Sequence, residues 1–539
     1  MRNAVVVSSC NADYFHYLQE QLHSFEACGA ARKYDFAVLD AGLTAPQLDW
    51  LRRFGVQSIV KPGWPIAGLE GQPEWYKACL CRPFFPDYFG AWNVIVYTDS
   101  DNWFQNCDVL DAAVAGAEQD GFAAVPYVDR GHWPLRVETN SLFSVQWHKD
   151  CLRDYYGPEI AERFQLHPIL AGSLFAGRRD APHWMAWRQL MVEGLRRKIH
   201  FNVDQASMTL AVHQTGLPTH FLPIYHHWIA HMGPVGLDTR SATYVEPYLP
   251  HLPISSLCLA AHTKTAPVLV RTTDGRLLNR LLRYGRQHER HDTHVTLGGA
   301  AHAVDGVATP RFREQAFAAL SATAAVRFVQ IGAMDGVTFD PLHDALRRYG
   351  WSGICVEPMP DSMAHLRQHH ADMPGLRFAQ MAIAAEPGSR TMQRVSPQAI
   401  ADGLLPAWAA GLSSLTPVRN ALGGKGLTPE QYAAVAAAAE TIEVDCLDFA
   451  GFEDEYEVSG FDVLQISAAG YDWQILEQVD LGRHAPQCVH IEIECLPPAE
   501  IDAAVAHLRA ADYVCYALED GRHLLALRQD FGAEHFGIV

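Results

Sequence analysis

The 539-residue chain has no apolar run with the length and purity of a membrane span, and its first residues lack an apolar core followed by a cleavage site. No integral membrane segment or secretory leader is therefore expected. Basic residues are the minority, 42 Lys and Arg against 61 Asp and Glu, for a net charge of −19. That excess repels polyanions and argues against nucleic acid or an anionic bilayer as the main partner. The twelve cysteines are scattered and form no paired C-x-x-C knuckles. Cys79-Leu80-Cys81, the one close pair, reads as core rather than as a zinc site. The expected setting is a reducing cytoplasm, either free or peripheral at the inner membrane. An apolar fraction of 49% describes an ordered chain, and its length exceeds what one core fills.

What is present is alternation. From Met1 to about residue 245, apolar strands alternate with amphipathic stretches, which is α/β patterning. Residues 4–7 read as a first strand, and the helix after it places Tyr14, Tyr17, Leu18, Leu22 and Phe25 on one face. Residues 36–39 are a second strand, with Thr44 as N-cap of the next helix. Residues 173–175 and 221–224 are further strands. The alternation restarts near residue 320, with a buried strand at 326–331 and a glycine turn at 332–336. Asp340-Pro341 opens a helix that Gly350 closes, and the next strand ends at Glu357. Between the halves, residues 246–319 open with Pro247, Pro250 and Pro253 and hold a basic, His-rich segment at 280–294. No carboxylate or thiolate frames His288, His291 and His294, so a solvated connector is expected there. The division is 1–245, 246–319 and 320–539.

Two places carry chemistry. Val94-Ile95-Val96-Tyr97-Thr98-Asp99-Ser100-Asp101 is an apolar run ending in two carboxylates one residue apart. Alternate residues of a strand share a side, and open α/β sheets place ligands at the carboxyl ends of their strands. Neighbouring carboxylates repel, and a hard divalent cation relieves the repulsion. Many sugar transferases hold a nucleotide diphosphate through a metal on such an Asp-x-Asp; the alternative is an acidic turn after a buried strand. The second place is the turn Gly332-Ala333-Met334-Asp335-Gly336, with the acidic Glu357 about 20 positions on, suited to ribose hydroxyls. It is not G-x-G-x-x-G, which favours a cofactor without a diphosphate, such as S-adenosylmethionine, over a dinucleotide.

The N-terminal segment resembles GT-A glycosyltransferases of the glycogenin and lipopolysaccharide galactosyltransferase group. Tyr76-Lys77, Tyr97 to Asp101, Leu170-Ala171-Gly172-Ser173-Leu174-Phe175, Asn202-Val203-Asp204-Gln205 and His231-Met232-Gly233 carry the resemblance in order. It implies a GT-A, Rossmann-like fold in which Asp99, Asp101 and His231 hold Mn²⁺ (or Mg²⁺). Two oxygens and an imidazole suit Mn²⁺ better than Ca²⁺. Lys77 would add charge stabilisation, with a surface lysine as the alternative. Asp204 and Gln205 would touch the donor sugar, with a helix N-cap as the alternative for Asp204. Ser8, Asn11 and Tyr14 would line the nucleoside pocket. The donor expected is a nucleotide sugar, UDP-linked ahead of GDP-linked. Leu170 stands where the group has asparagine, so donor choice can differ.

Residues from about 325 to 528 resemble FkbM-type S-adenosylmethionine-dependent methyltransferases of the Rossmann-like class I fold. The match runs from Phe328 to Gly336 through Asp340-Pro341, Cys355 to Pro358, Gly411 to Leu415, Val444 to Leu447 and Phe461 to Ile466. It closes on His490-Ile491-Glu492-Ile493-Glu494. The resemblance implies S-adenosylmethionine with Gly332, Asp335 and Gly336 at its methionine end and Glu357 on its ribose. Where the family reads Asp-x-Glu-Gly, this chain reads Ser467-Ala468-Ala469-Gly470. O-methylation needs a base, worth about 10²–10⁴-fold. The domain is decayed, or uses a replacement base such as Asp472 or Glu492, or carries an introduced double substitution. The whole reads as a bifunctional protein that glycosylates and O-methylates an oligosaccharide, polysaccharide or glycolipid acceptor. The rivals are a transferase with a noncatalytic cofactor-binding scaffold, and a nucleotide-sugar hydrolase.

Overall fold

Continuous Val and Ile runs dictate strands buried on both faces, and the computed structural model builds its sheets from them. It describes residues 2–127, 143–286, 289–405, 409, 411–416 and 428–537. The chain divides into two compact units, Met1–Thr273 with Arg280–Glu289, and Asp274–Asn279 with Arg290–Val539.

In the first unit, strand Ala4–Cys10 is buried at every residue. It lies parallel to Asp35–Asp40 on one side and to Val94–Thr98 on the other. Seven strands form the sheet, in the order Ser58–Val60, Asp35–Asp40, Ala4–Cys10, Val94–Thr98, Leu170–Arg178, Phe122–Pro126, His220–Phe221. The first strand runs three residues past the expected 4–7, because Ser8, Ser9 and Cys10 still pair with Val38, Leu39 and Asp40. Helix Phe15–Ala27 buries Tyr17, Leu18, Leu22 and Phe25, as its periodicity predicts, whereas Tyr14 sits at the N-cap and is exposed. Thr44 caps helix Ala45–Phe54, its N–H donating to Gln47 Oε1 at 2.9 Å. The strand expected at 221–224 is a correction: pairing stops after Phe221 and Pro223 leads into a short 3₁₀ turn, since proline has no N–H for the ladder.

The stretch 246–319, read as a connector, contains strands at Ser256–Cys258, Val268–Thr272, Arg276–Arg280, Thr293–Leu297, Ala300–Val304 and Gly306–Ala308. Gly298 and Gly299, both at positive φ, are the turn of the Thr293–Leu297/Ala300–Val304 hairpin. His294 lies in that hairpin, and His288 lies outside the described residues.

In the second unit, strand Arg327–Ile331 is parallel to Ser352–Val356 and to Val463–Ile466, which is parallel to Cys488–Glu492. His523–Arg528 pairs antiparallel with Cys488–Glu492 and with Tyr513–Leu518. The helix expected from Asp340 begins at His343 and ends at Gly350, which is left-handed as a C-cap glycine should be. Asp340 Oδ1 instead accepts the Leu342 N–H at 2.8 Å, holding a turn ahead of the helix. Mixed α/β architecture holds in both units. Among the described residues no helix is long and apolar enough to cross a membrane.

Candidate functional site

Strand Val94–Thr98 ends directly before Asp99, and the chain turns there, Asn102 N–H donating to Asp99 O at 3.1 Å. Asp99 and Asp101 therefore flank a turn at the carboxyl end of the strand instead of alternating along one extended segment. Beyond the turn, Asn102–Phe104 pairs antiparallel with Ser256–Cys258, and Leu259 N–H donates to Asp101 O at 3.0 Å. That pairing delivers Lys264. Its Nζ lies 2.8 Å from Asp101 Oδ2 and donates to the Tyr14 hydroxyl at 2.8 Å, above the Tyr14 ring. His231 follows strand His227–Ile229, the parallel neighbour of Ser256–Cys258.

Burial, reinforced by the charge of Asp99, pushes the Asp101 carboxyl up to about 6, with Lys264 opposing. Burial also lowers His231, helped by His262 and Lys264, and keeps its imidazole neutral, the state a metal ligand needs. Asp101 Oδ1 and His231 Nδ1 are both buried without a hydrogen-bond partner. Two orphaned ligand atoms fit a cation. The set is not closed, however. Among the described residues, the only group of three or more His, Cys, Asp or Glu whose ligating atoms all lie within 4.8 Å of one another is Asp340, His343 and His370.

Arg82, which the sequence reading missed, is the hub of this site. Its Nη1 donates to Asp204 Oδ2 at 2.6 Å, and its Nη2 donates to Asp99 Oδ1 at 2.6 Å and to the Tyr97 hydroxyl at 2.9 Å. Asp204 occupies the first turn of helix Val203–Thr215, where the dipole favours a carboxylate, but Asn202 is the N-cap residue. Burial raises Asp204 to about 7 against the pull of Arg82, and its Oδ1 has no partner. Gln205 turns back, its Nε2 donating to Leu170 O at 2.8 Å. Gly172 leaves room for the Arg82 guanidinium, since a Cβ there would sit 3.1 Å from its Nη1 but only in ordinary contact, 3.6 Å, with Gln205.

The remaining expected residues serve the framework around the turn. Ser8 is inside its strand with its hydroxyl buried and unpartnered. Asn11 Oδ1 accepts the Tyr14 N–H at 3.1 Å and starts the helix. Lys77 is buried, not a surface lysine, pairing with Glu74 at 2.7 Å over the Trp64 ring. His227 bonds Ser173 and Ser256 and is a satisfied core histidine.

The second unit holds a cavity of about 930 Å³, lined by Gly332, Met334, Glu357, Ser467, Glu492 and His523 among others. It lies at the carboxyl ends of the parallel strands, where α/β sheets bind ligands, and its size suits a nucleoside-sized cofactor. Gly332, at φ +80°, passes so close to the Ser467 carbonyl that a Cβ would sit 1.9 Å from it, so no other residue fits. Glu357 accepts the N–H groups of Met334 and Met359, each at 2.8 Å, and burial raises its carboxyl to about 7. Asp335 and Gly336 stand outside the lining. The Asp335 carboxylate accepts from Val337 and Thr338 and shapes the turn instead. Asp472 is likewise withdrawn, since its two oxygens accept the N–H groups of Ala468 and Gly470. Burial, with the charge of Glu492, pushes Asp472 up to about 7. Glu492 does face the cavity and accepts the Ser467 hydroxyl at 2.5 Å. His523 was also missed. It is in register with Glu492, its Nδ1 is 2.8 Å from Asp520 Oδ2, and both residues line the cavity. Burial opposes the Asp520 charge, but its bonds to His523 and Arg522 hold the carboxyl at about 2.

Residues 330–515 match the family described as the methyltransferase FkbM domain, so the C-terminal part of the chain carries a domain of that family. Among solved structures, the chain is similar to the galactosyltransferase LgtC in complex with donor and acceptor sugar analogs. The identity is 11% with a TM-score of 0.31, over 48% of this chain and 88% of that one. It is similar to the bifunctional glycosyltransferase WbbM at 14% identity and a TM-score of 0.29, over 42% of this chain and 40% of that one. It is also similar to the mannosyltransferase Ktr4p from S. cerevisiae at 11% identity and a TM-score of 0.28, over 41% and 68% of the two chains. No curated protein matches the chain.

Proposed function

We propose that the chain is a bifunctional glycan-modifying enzyme. Its first unit transfers a sugar from a nucleotide donor to an oligosaccharide, polysaccharide or glycolipid, and its second unit O-methylates the same class of acceptor. The observation that carries the transferase reading is the buried Asp101, which keeps one orphaned oxygen beside Asp99 and has Lys264 on the other. Asp99, Asp101 and His231 would hold Mn²⁺ or Mg²⁺, and when bound the ion supplies Lewis-acid neutralisation of the departing diphosphate. Lys264 adds a fixed cation there. Arg82 holds Asp204 and Asp99 in place, and Asp204 presents its unpartnered oxygen to the donor sugar.

In the second unit the FkbM match and the cavity support S-adenosylmethionine as the methyl donor. Gly332 and Met334 give it a close backbone floor, and Glu357 accepts from its ribose. Glu492, Glu494 and His523 are cavity groups able to take the acceptor's hydroxyl proton, whereas Ser467 and Ala469 cannot and Asp472 is bound to backbone. A second reading follows from the Ser467–Gly470 loop: a cofactor-binding domain without catalysis, which the absence of a loop carboxylate favours.

Calorimetric titration of the whole chain tests both halves. UDP, and then GDP, should bind only with Mn²⁺ and lose affinity in Asp101→Ala. Metal-independent binding of both nucleotides, or none, removes the transferase reading. S-adenosylmethionine binding supports the second unit's pocket, and transfer by wild type or by Ser467→Asp/Ala469→Glu separates enzyme from scaffold.

A further inference from the structure

We propose that Asp340, His343 and His370 bind a divalent first-row transition ion, zinc foremost, that ties the glycine turn of the second unit to the helix Pro360–His369. The three residues converge from separate pieces of chain. Asp340 precedes helix His343–Tyr349, His343 begins it, and His370 caps the C-terminus of Pro360–His369. Their ligating atoms all lie within 4.8 Å of one another. Tetrahedral ligands around zinc lie roughly 3.3–3.6 Å apart, so closure asks only for small side-chain adjustments.

Hydrogen bonding already orients the group as a ligand set would be oriented. Asp340 Oδ1 accepts from Gln330 Nε2 and from the Leu342 N–H, each at 2.8 Å, which fixes the carboxylate. Its Oδ2 is buried with no partner, and so is His370 Nδ1. Gly336 O receives both rings, 2.8 Å from His343 Nδ1 and 3.1 Å from His370 Nε2. A carbonyl so placed either orients the imidazoles or joins the ion as a fourth ligand. Only glycine allows this at position 336, where a Cβ would sit 2.5 Å from His370 Nε2. Among the described residues no Lys or Arg pairs with Asp340, so this half-buried carboxylate, with its Oδ2 buried, has no fixed cation beyond what His343 can carry. A hydrogen-bonded cluster without metal leaves both orphaned atoms unexplained, whereas a cation accounts for the Asp340 oxygen directly.

Two imidazoles and one carboxylate favour Zn²⁺ or Co²⁺ over Mg²⁺ and Ca²⁺, which prefer all-oxygen shells. The ion would stiffen the turn whose Gly332 and Met334 line the cavity. The inference stands on this geometry alone and does not depend on what the cavity binds.

The test uses the full chain stripped by chelator and titrated with Zn²⁺ against a chromophoric competitor. Because 27 histidines offer adventitious sites, the decisive result is the loss of one tight equivalent in variants. Asp340→Asn and His343→Gln should each weaken that equivalent roughly 100-fold or more, beyond what a supporting partner alone contributes. Co²⁺ should give visible ligand-field bands in wild type and none in either variant. His343 is only half-buried, so His343→Gln should keep its metal-free circular dichroism and melting profile. Zinc binding and cobalt spectra unchanged in both variants, or no tight equivalent in wild type, overturn the proposal.

Discussion

Lys264 Nζ lies 2.8 Å from Asp101 Oδ2, with both side chains largely buried. The contact sets the electrostatics of the aspartate pair, because burial and the charge of Asp99 raise Asp101 and Lys264 opposes them. Lys264→Met leaves a desolvated carboxylate without its cation, and we expect a loss of ~2–3 kcal/mol in urea unfolding at pH 8. The folded pKa of Asp101 is raised, so its charge weighs against folding as pH rises through about 6. Without Lys264 the Asp101 carboxyl is pushed higher still, so the deficit should shrink as pH falls toward about 6 and be smallest below it, where the carboxyl is protonated in wild type and variant alike. A deficit that is flat from pH 5 to 8 would show that Asp101 is not the partner that matters.

The same raised pKa makes a prediction for binding. A metal ligand must be ionised, so Mn²⁺-dependent nucleotide affinity should hold above pH 7 and fall as pH drops through about 6. One proton per site gives roughly a tenfold loss per pH unit below the midpoint. Calorimetry from pH 5 to 8 reads this directly. A midpoint near 4 would mean an unperturbed carboxylate and contradict the burial of Asp101.

Much of this arrangement was legible in the residues, and the rest was hidden for identifiable reasons. Val and Ile runs, the Thr44 cap and the Gly350 stop are local signals, and each appears in the fold where periodicity and capping place it. Asp99 and Asp101 were visible because two carboxylates after an apolar run form a local pattern. Lys264 carries no such pattern: it reaches Asp101 only because Ser256–Cys258 pairs with Asn102–Phe104, a long-range register that the proline-rich flank disguised as connector. Arg82 follows Lys77 by five positions and reads as one more helical basic residue until the fold brings Asp204 to it. Asp472 shows the converse. Its position beside the altered loop suggested a base, but the backbone N–H groups of that loop claim both oxygens.

Glu357 is buried, with its two backbone bonds holding one conformation across strand end and glycine turn. Glu357→Gln keeps the shape but replaces one acceptor oxygen with a donor, facing either an N–H or the cofactor's ribose. S-adenosylmethionine and S-adenosylhomocysteine should both weaken by about 10–100-fold, the range for a hydrogen bond to a charged acceptor. Equal affinity in calorimetry of wild type and variant would remove Glu357 from the cofactor site.

Arg82 gives the sharpest stability test, because one guanidinium serves two carboxylates in the first unit. Asp204 is almost fully buried at 2% side-chain exposure, while Asp99 keeps 31%, so most of the dependence falls on Asp204. Arg82→Met strands Asp204 in a low-dielectric site, where breaking a buried pair costs about 3–5 kcal/mol. Arg82→Lys keeps a charge but cannot fork between Asp204, Asp99 and the Tyr97 hydroxyl, and should fall between wild type and Arg82→Met. Adding Asp204→Asn to Arg82→Met removes the stranded charge and should restore part of the loss, with a coupling of about 1–3 kcal/mol in the double-mutant cycle. Additive effects in urea unfolding would mean the two side chains act independently, and Arg82 would then lose its place as the organiser of the site.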